Sequence, residues 1–573
     1  MQPKHRILIV SNFYPPNAIG GAEVVAARQA RAFCDAGHSV SVFAGGLPQD
    51  GLEAGALERE WDHNKKIPVF RNGLVSLDTG ENFCRHEVAR RFGGVLRHFE
   101  PSIVHFHNVV GLGANLIPLA KSYGAKVFVT FHDHWGFCFK NTRLRNDLSL
   151  CTNPEECARC KPKVEAPLGG PLPMRLRRDY VAWCLGHADR LLSPSHYLAN
   201  AYDEARTLTK PVQALSNGID LEVLESSTSK LSEPKSENHC THFLCAAYLG
   251  AHKGIVHLLN AAEKLANNGN LMGRWRLTIC GHGELSEDIQ SGIRAGRFGD
   301  AVELAGRLPR SELLELMDRV DAIVLPSIWP ENEPVSMLEA IAKGKAQIAT
   351  RTGGNIDLVE DGLSGFLVEP GDGADLAAAM ARLIQDPGLS RNFGERNRQR
   401  RAEFSETHTI RRLQTLYNMP STPRLQDEYV VACAGPAPNP DLDDLLHMFH
   451  VVEGELSRVR FVFHDWLDTC AWERLELVWI WPGFRIEEAG LVLRAVRSGI
   501  PVLAETNSPL AGFSVANELP PYATLSDALG TIAALAELPP VPPMHPSLSA
   551  TLARRLTTLL PQASFNLSSE IAK

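Results

Sequence analysis

Residues 326–354, PSIWPENEPVSMLEAIAKGKAQIATRTGG, constrain this chain more than any other stretch. The run Asp321–Leu325 just before them reads as a short buried strand. A proline-rich loop with carboxylates follows. Pro334 stands where a helix begins, and Val335–Ala342 combines helical spacing with strong helix formers. Lys343-Gly344 closes the helix, Gln347–Thr350 is the next strand, and Gly353-Gly354 is a turn. Strand, loop, helix and strand in this order predict a parallel α/β unit. The helix N-terminus offers free N–H groups and the positive end of a dipole, which suits a diphosphate. Glu331 lies in the loop and Glu339 one turn into the helix, with seven residues between them. One carboxylate can meet a ligand beside the phosphates, and the other can reach further along it.

Glu331, seven residues, Glu339, then Ala340 and Lys343-Gly344, resemble the E-x7-E signature of retaining family 4 glycosyltransferases. The resemblance covers about residues 5–418. It implies the α/β GT-B fold: two Rossmann-like domains face each other across a cleft that holds a sugar nucleotide. By the same resemblance Glu331 holds the donor sugar hydroxyls and Glu339 the ribose. The helix start Pro334, Val335, Ser336 and Met337 meets the donor diphosphate.

Composition narrows the partners. The chain has 573 residues, enough for three or four domains. Its net charge of −8 provides no bulk basic field for nucleic acid. No apolar run approaches the roughly 18 residues of a membrane span. Met1–Val10 reads as a first strand rather than a signal peptide. The expectation is a cytoplasmic protein, with peripheral contact at the inner face of the membrane as a further option.

The first domain, residues 1–215, opens with the strand Arg6–Val10 and a helix from about Ala22 to Ala36. Gly20-Gly21 puts flexible backbone in front of that helix, again an anion cradle. A plain β–α turn is the alternative; in the resembling family this turn faces the donor diphosphate. Ser102–Phe106 and Lys126–Thr130 are strands that run into His107 and His132. Histidines at the C-terminal ends of parallel strands sit where open α/β sheets bind ligands. His132 matches the family histidine that approaches the donor sugar and acceptor; His107 fits a structural role equally well.

An insertion at 138–164 carries Cys138, Cys151, Cys157 and Cys160, spaced C-x12-C-x5-C-x2-C. Four thiolates could close a structural zinc site; disulfides or unligated thiols are the alternatives. Met174–His187 is helical, with Arg175, Arg177 and Arg178 near one end. A solvated basic face is the plainer reading, and contact with anionic lipid the other.

The second domain, residues 216–418, opens at the strand Phe243–Tyr248 and the turn Gly250-Ala-His-Lys253-Gly254. In the family an arginine upstream joins this lysine on the diphosphate; here its position holds Tyr248 or is lost with a shortened loop. Residues 425–573 form an appended module. Its segment from Glu476 repeats the segment from Asp321 at a constant offset of 155 residues, with Ile486 and Arg494 replacing the two glutamates. This predicts a partial Rossmann-like copy, outside the cleft and unable to bind nucleotide.

These residues point to transfer of a sugar from a nucleoside diphosphate sugar to a glycan or lipid-linked glycan. Lys253, Glu331 and His132 are the catalytic candidates, and no divalent metal is required. A sugar-nucleotide-binding regulator or scaffold without turnover is the rival reading.

Overall fold

The computed structural model describes residues 3–423 apart from short internal stretches, of which 227–239 is the longest, and parts of 429–536. Among the described residues are four sheets, three of four strands or more and the two-stranded ribbon Lys163–Glu165 with Pro171–Pro173. The first has eight strands in the order Val212–Ala214, Arg190–Ser193, Lys126–Thr130, Ile103–Phe106, Arg6–Ser11, Ser39–Gly46, Ile67–Gly73 and Leu57–Asp62. All run parallel except the edge strand Leu57–Asp62, which is antiparallel to its neighbour. The central strand is buried along Ile7–Val10, as a parallel strand covered on both faces must be.

The second sheet has six parallel strands, Val302–Gly306, Trp275–Cys280, Thr241–Ala246, Ala322–Leu325, Ala346–Thr350 and Gly365–Val368. In both sheets the first strand in sequence lies inside, with later strands added on either side. That reversal of order opens a crevice at the strands' C-terminal ends, where ligands bind in such folds.

The helix Glu406–Asn418 leaves the second domain and packs on the first. Its Ile410, Leu413, Leu416 and Tyr417 share a core with Ile7, Phe33 and Val42. The last helix before residue 418 thus packs back onto the first domain.

The third sheet is small and parallel, in the order Val459–Phe463, Tyr429–Ala434, Leu477–Ile480 and Val502–Leu503. Leu477–Ile480 stands 155 residues after Ala322–Leu325, and the neighbours on either side follow the second sheet's order. Leu477, Trp479 and Val492 are buried together and Leu491 packs against them; Val496 and Ile486 lie outside the described residues.

This sheet covers the helix Met174–Gly186, which corrects the reading of that helix as a solvated or lipid-facing basic surface. Arg177, Arg178 and Asp179 are all buried. Asp179 lies beside Arg175 at 3.0 Å, Arg178 at 3.5 Å and Arg460 of the third sheet at 3.8 Å, and accepts the Phe461 backbone N–H at 3.1 Å. Burial works against its charge, but the three guanidinium groups outweigh that and hold its carboxyl below the usual range. The arginines thus serve an internal junction. Among the described residues no helix is long and apolar enough to cross a membrane.

Candidate active site

A cavity of about 840 Å³ lies between the first two sheets. Asn12, Gly20, Gly21, Glu23, Asn108, His132 and Asp133 line it from the first domain. Tyr248, Lys253, Arg307, Arg310, Glu331 and Glu339 are among those facing them. None of its lining residues lies beyond Glu339, so the described part of the third unit stays outside.

The loop after Ala322–Leu325 brings the second domain's chemistry together. Lys253 ends a single 3-10 turn, Ala251–Lys253, and Gly254 follows with φ +69°. A Cβ on Gly254 would sit 1.8 Å from the Pro326 carbonyl oxygen, so only glycine lets the two loops cross. The crossing sets Lys253 Nζ 2.6 Å from Glu331 Oε1, which also accepts the Ser327 hydroxyl at 2.6 Å. Gly353 at φ +58° wraps the Glu331 backbone; a Cβ there would meet the Glu331 carbonyl at 2.2 Å.

Pro334 precedes the helix Val335–Ala342, whose N-terminus no side chain caps, and Pro334, Val335 and Ser336 line the cavity. Met337 does not. Its side chain is buried in the core under the helix, and its N–H already goes to the Pro334 carbonyl at 3.0 Å. Of the residues expected at the donor, Met337 therefore stands apart, on the helix face turned into the core. Glu339 is buried and faces Arg310, with Nη1 to Oε1 at 2.6 Å. Burial raises its carboxyl above the usual range against the pull of Arg310.

Across the cleft, the helix Gly21–Asp35 starts at Gly20, whose N–H is held by Glu23 Oε2 at 2.8 Å. A Cβ on Gly21 would lie 3.6 Å from Val335 Cγ2, so the two helix starts nearly touch. His132 lines the cavity from the end of Lys126–Thr130. Its backbone carbonyl accepts Asn332 Nδ2 at 2.7 Å, a direct bond between the domains. Asp133 accepts Asn108 Nδ2 at 2.9 Å and the Trp135 N–H at 2.8 Å. Burial nevertheless pushes its carboxyl up to about 7.

Sequence reasoning missed Asn332, Glu333 and Arg310. Glu333 accepts the Asn217 N–H at 2.8 Å, beside the passage between domains, and burial raises it to about 7. Pairs far apart in sequence define these roles, so no local pattern marks them. Tyr248 is 44% exposed, reaches Glu284 with its hydroxyl at 3.2 Å and adds no cation. Arg307 and Arg310 line the same wall.

The four clustered cysteines carry no disulfide. Burial raises the Cys157 thiol to about 12, with Cys138 and Cys151 near enough to add to it. Among the described residues no group of three or more ligating side chains is arranged for a metal.

Known proteins agree with this architecture. A family model described as Glycosyltransferase Family 4 matches residues 19–223, and one described as Glycosyl transferases group 1 matches 231–400. The amylovoran biosynthesis glycosyltransferase AmsK of Erwinia amylovora is 33% identical over 147 residues, 25% of this chain and 35% of that protein. Glycogen synthase of Mycobacterium tuberculosis is 26% identical over 422 residues, 71% of this chain and 92% of that protein. The chain thus spans about a third of the first relative and nearly all of the second. Among solved structures, Anabaena HepE in complex with UDP-glucose superposes with a TM-score of 0.50 at 16% identity, covering 72% of this chain and 100% of that one. Over its first two domains the chain has the GT-B fold, and each of these domains matches a glycosyltransferase family model.

Proposed function

We propose that the protein is a retaining glycosyltransferase that moves a hexose from a nucleoside diphosphate sugar to a glycan or lipid-linked glycan. One observation carries this reading. Lys253 and Glu331 meet at 2.6 Å beside an uncapped helix N-terminus, and His132 faces them from the other domain within one cavity. In the transfer the bond from the anomeric carbon to the diphosphate oxygen breaks and takes its electron pair with it. Lys253 and the N–H groups of Val335 and Ser336 stabilise that charge. The acceptor hydroxyl forms the new bond on the same face and passes its proton to the departing diphosphate oxygen. The HepE complex supports a uridine donor, and AmsK supports a role in polysaccharide synthesis.

Thermal-shift measurements with UDP-, GDP- and ADP-sugars test the donor, because a ligand that binds only the folded state raises its stability. A shift with one nucleotide class, followed by its slow release from the sugar in water, is the expected result. No shift with any of them would overturn the assignment. Tyr248 in place of the arginine favours one other reading, binding without turnover. A clear shift without sugar release, with or without glycan acceptors, would establish it. Zinc on Cys138, Cys151, Cys157 and Cys160 is proposed as a structural clasp for the insertion, on the grounds of spacing and thiol proximity.

A further inference from the structure

Three imidazoles stand in a row beneath the cavity. His105 is held at both ring nitrogens, by the Tyr417 hydroxyl and the Thr130 hydroxyl, each at 2.7 Å. It stacks on His107 with centroids 4.8 Å apart, and His107 lies edge to edge with His132, centroids 5.2 Å apart and ring planes within 13° of each other. His107 Nδ1 lies 2.9 Å from His132 Nε2. His107 is fully buried, and its Nε2 has no partner among the described residues. Of these three rings only His132 reaches the cavity.

We propose that His107 is a positioning residue: it donates its Nδ1–H to His132 Nε2, so that His132 turns an Nδ1–H donor toward the substrate. This deepens the proposed function and rests on reading the cavity as a donor-sugar site. Burial keeps both rings neutral, lowering His132 to about 4 and His107 well below its usual value. Two neutral rings share one proton along this contact, which leaves two arrangements. If His132 donates to His107, the proton of His107 must sit on Nε2 as a buried N–H with no acceptor. If His107 donates, its Nε2 carries only an unfilled lone pair. Unpaired buried N–H groups are rarer than under-used acceptors, which favours the second arrangement.

The cavity chemistry points the same way. Glu331 and Asp133 offer carboxyl groups that chiefly accept. A sugar hydroxyl donating to one of them has lone pairs left to fill, and an N–H from His132 fills one. His105, locked by Tyr417 of the closing helix, fixes the far face of His107. The preference therefore passes from the fold to the site through two stacked rings.

Protein labelled with 15N-histidine tests this without any substrate. Long-range 15N–1H correlation separates protonated from bare ring nitrogens, and a His132→Gln variant assigns the signals of that ring. A protonated Nδ1 and bare Nε2 on His132 is the expected pattern; the reverse, or a doubly protonated ring near neutral pH, overturns the proposal. Turnover is read in parallel as UDP-glucose hydrolysis. His107→Leu removes the donor and His107→Asp forces the proton onto His132 Nε2. Both should lower kcat about tenfold or more, with KM changed less than about twofold. His107→Asn, which carries an N–H near the Nδ1 position, should restore about fivefold of that loss. Equal losses in all three variants, in step with falling thermal stability, would reduce His107 to a packing role and also overturn the proposal. If the wild type neither binds UDP nor hydrolyses UDP-glucose, the donor reading is at fault, and the resting tautomer still decides the role of His107.

Discussion

Lys253 Nζ sits 2.6 Å from Glu331 Oε1, so the cation proposed for the phosphates is held by the carboxylate proposed for the sugar. Both open onto the cavity, and both come from loops at the C-terminal ends of adjacent parallel strands. The pair orients Lys253 before any ligand arrives, and the Trp329 ring lies 5.0 Å beneath its ammonium. Lys253→Ala should lower turnover about a hundredfold, the scale seen when a charge-stabilising group is lost. Glu331→Ala should lose activity as well. Both variants should unfold cooperatively. Turnover at the wild-type level in either would remove that residue from the site.

Gly21 and Val335 measure the gap between the domains. The 3.6 Å separation of a Cβ on Gly21 from Val335 Cγ2 is ordinary contact, so a methyl group fits and a longer side chain does not. Gly21→Ala should keep donor affinity within about threefold, whereas Gly21→Leu should weaken it about tenfold or more, a loss of about 1.4 kcal/mol. Titration of UDP against the three proteins checks this. Equal affinities would mean that the donor binds with the domains further apart.

Asp179 joins the first domain to the appended unit. Asp179→Ala leaves Arg175, Arg178 and Arg460 without their carboxylate and should cost about 3–5 kcal/mol of stability. Because its folded pKa is depressed, the stability it contributes is present above the unfolded carboxyl value and is lost as pH falls through the folded one. Urea unfolding of wild type and Asp179→Ala at neutral pH reads the difference. A change under about 1 kcal/mol would show that the junction does not depend on this charge.

Acid should destabilise the first domain. Burial lowers His105 to about 3 and His132 and His134 to about 4, and holds His107 well below its usual value. In the window from the usual histidine pKa near 6.5 down to about 4, the unfolded chain binds protons that these folded rings refuse, so stability falls with pH. Asp133 and Glu333 oppose this: both are raised to about 7 and favour the folded state as pH drops through the same window. Four rings against two carboxyls predict a net fall in melting temperature between pH 6.5 and pH 4.5. A flat or rising profile would contradict these burial effects.

Metal content tests the cysteine cluster. Purified protein should carry about one zinc per chain, as a four-thiolate site requires. Cys157→Ser with Cys160→Ser should lose it and melt at a lower temperature. Wild-type protein free of metal and fully stable would end that proposal.

The alternation of buried strands and amphipathic helices was enough to read parallel α/β units from the chain alone, and the two-domain fold followed from the resemblance that Glu331 and Glu339 carry. Those signals are local: hydrophobic periodicity, a proline at a helix start, a glycine where backbones cross. The 155-residue echo was legible for the same reason, because Ala322–Leu325 and Leu477–Ile480 share one pattern and one place in their sheets. Tertiary structure alone decided what depends on distant partners. The basic run at Arg175–Arg178 looks like a solvated face until the strand Val459–Phe463 covers it. Met337 shares a helix start with Ser336, yet the turn of the helix sends it into the core. His107 looks like any strand-end histidine until Lys126–Thr130 sets His132 against it. A titratable group's role depends on what desolvates it and what it bonds to, and residues far away in the chain supply both.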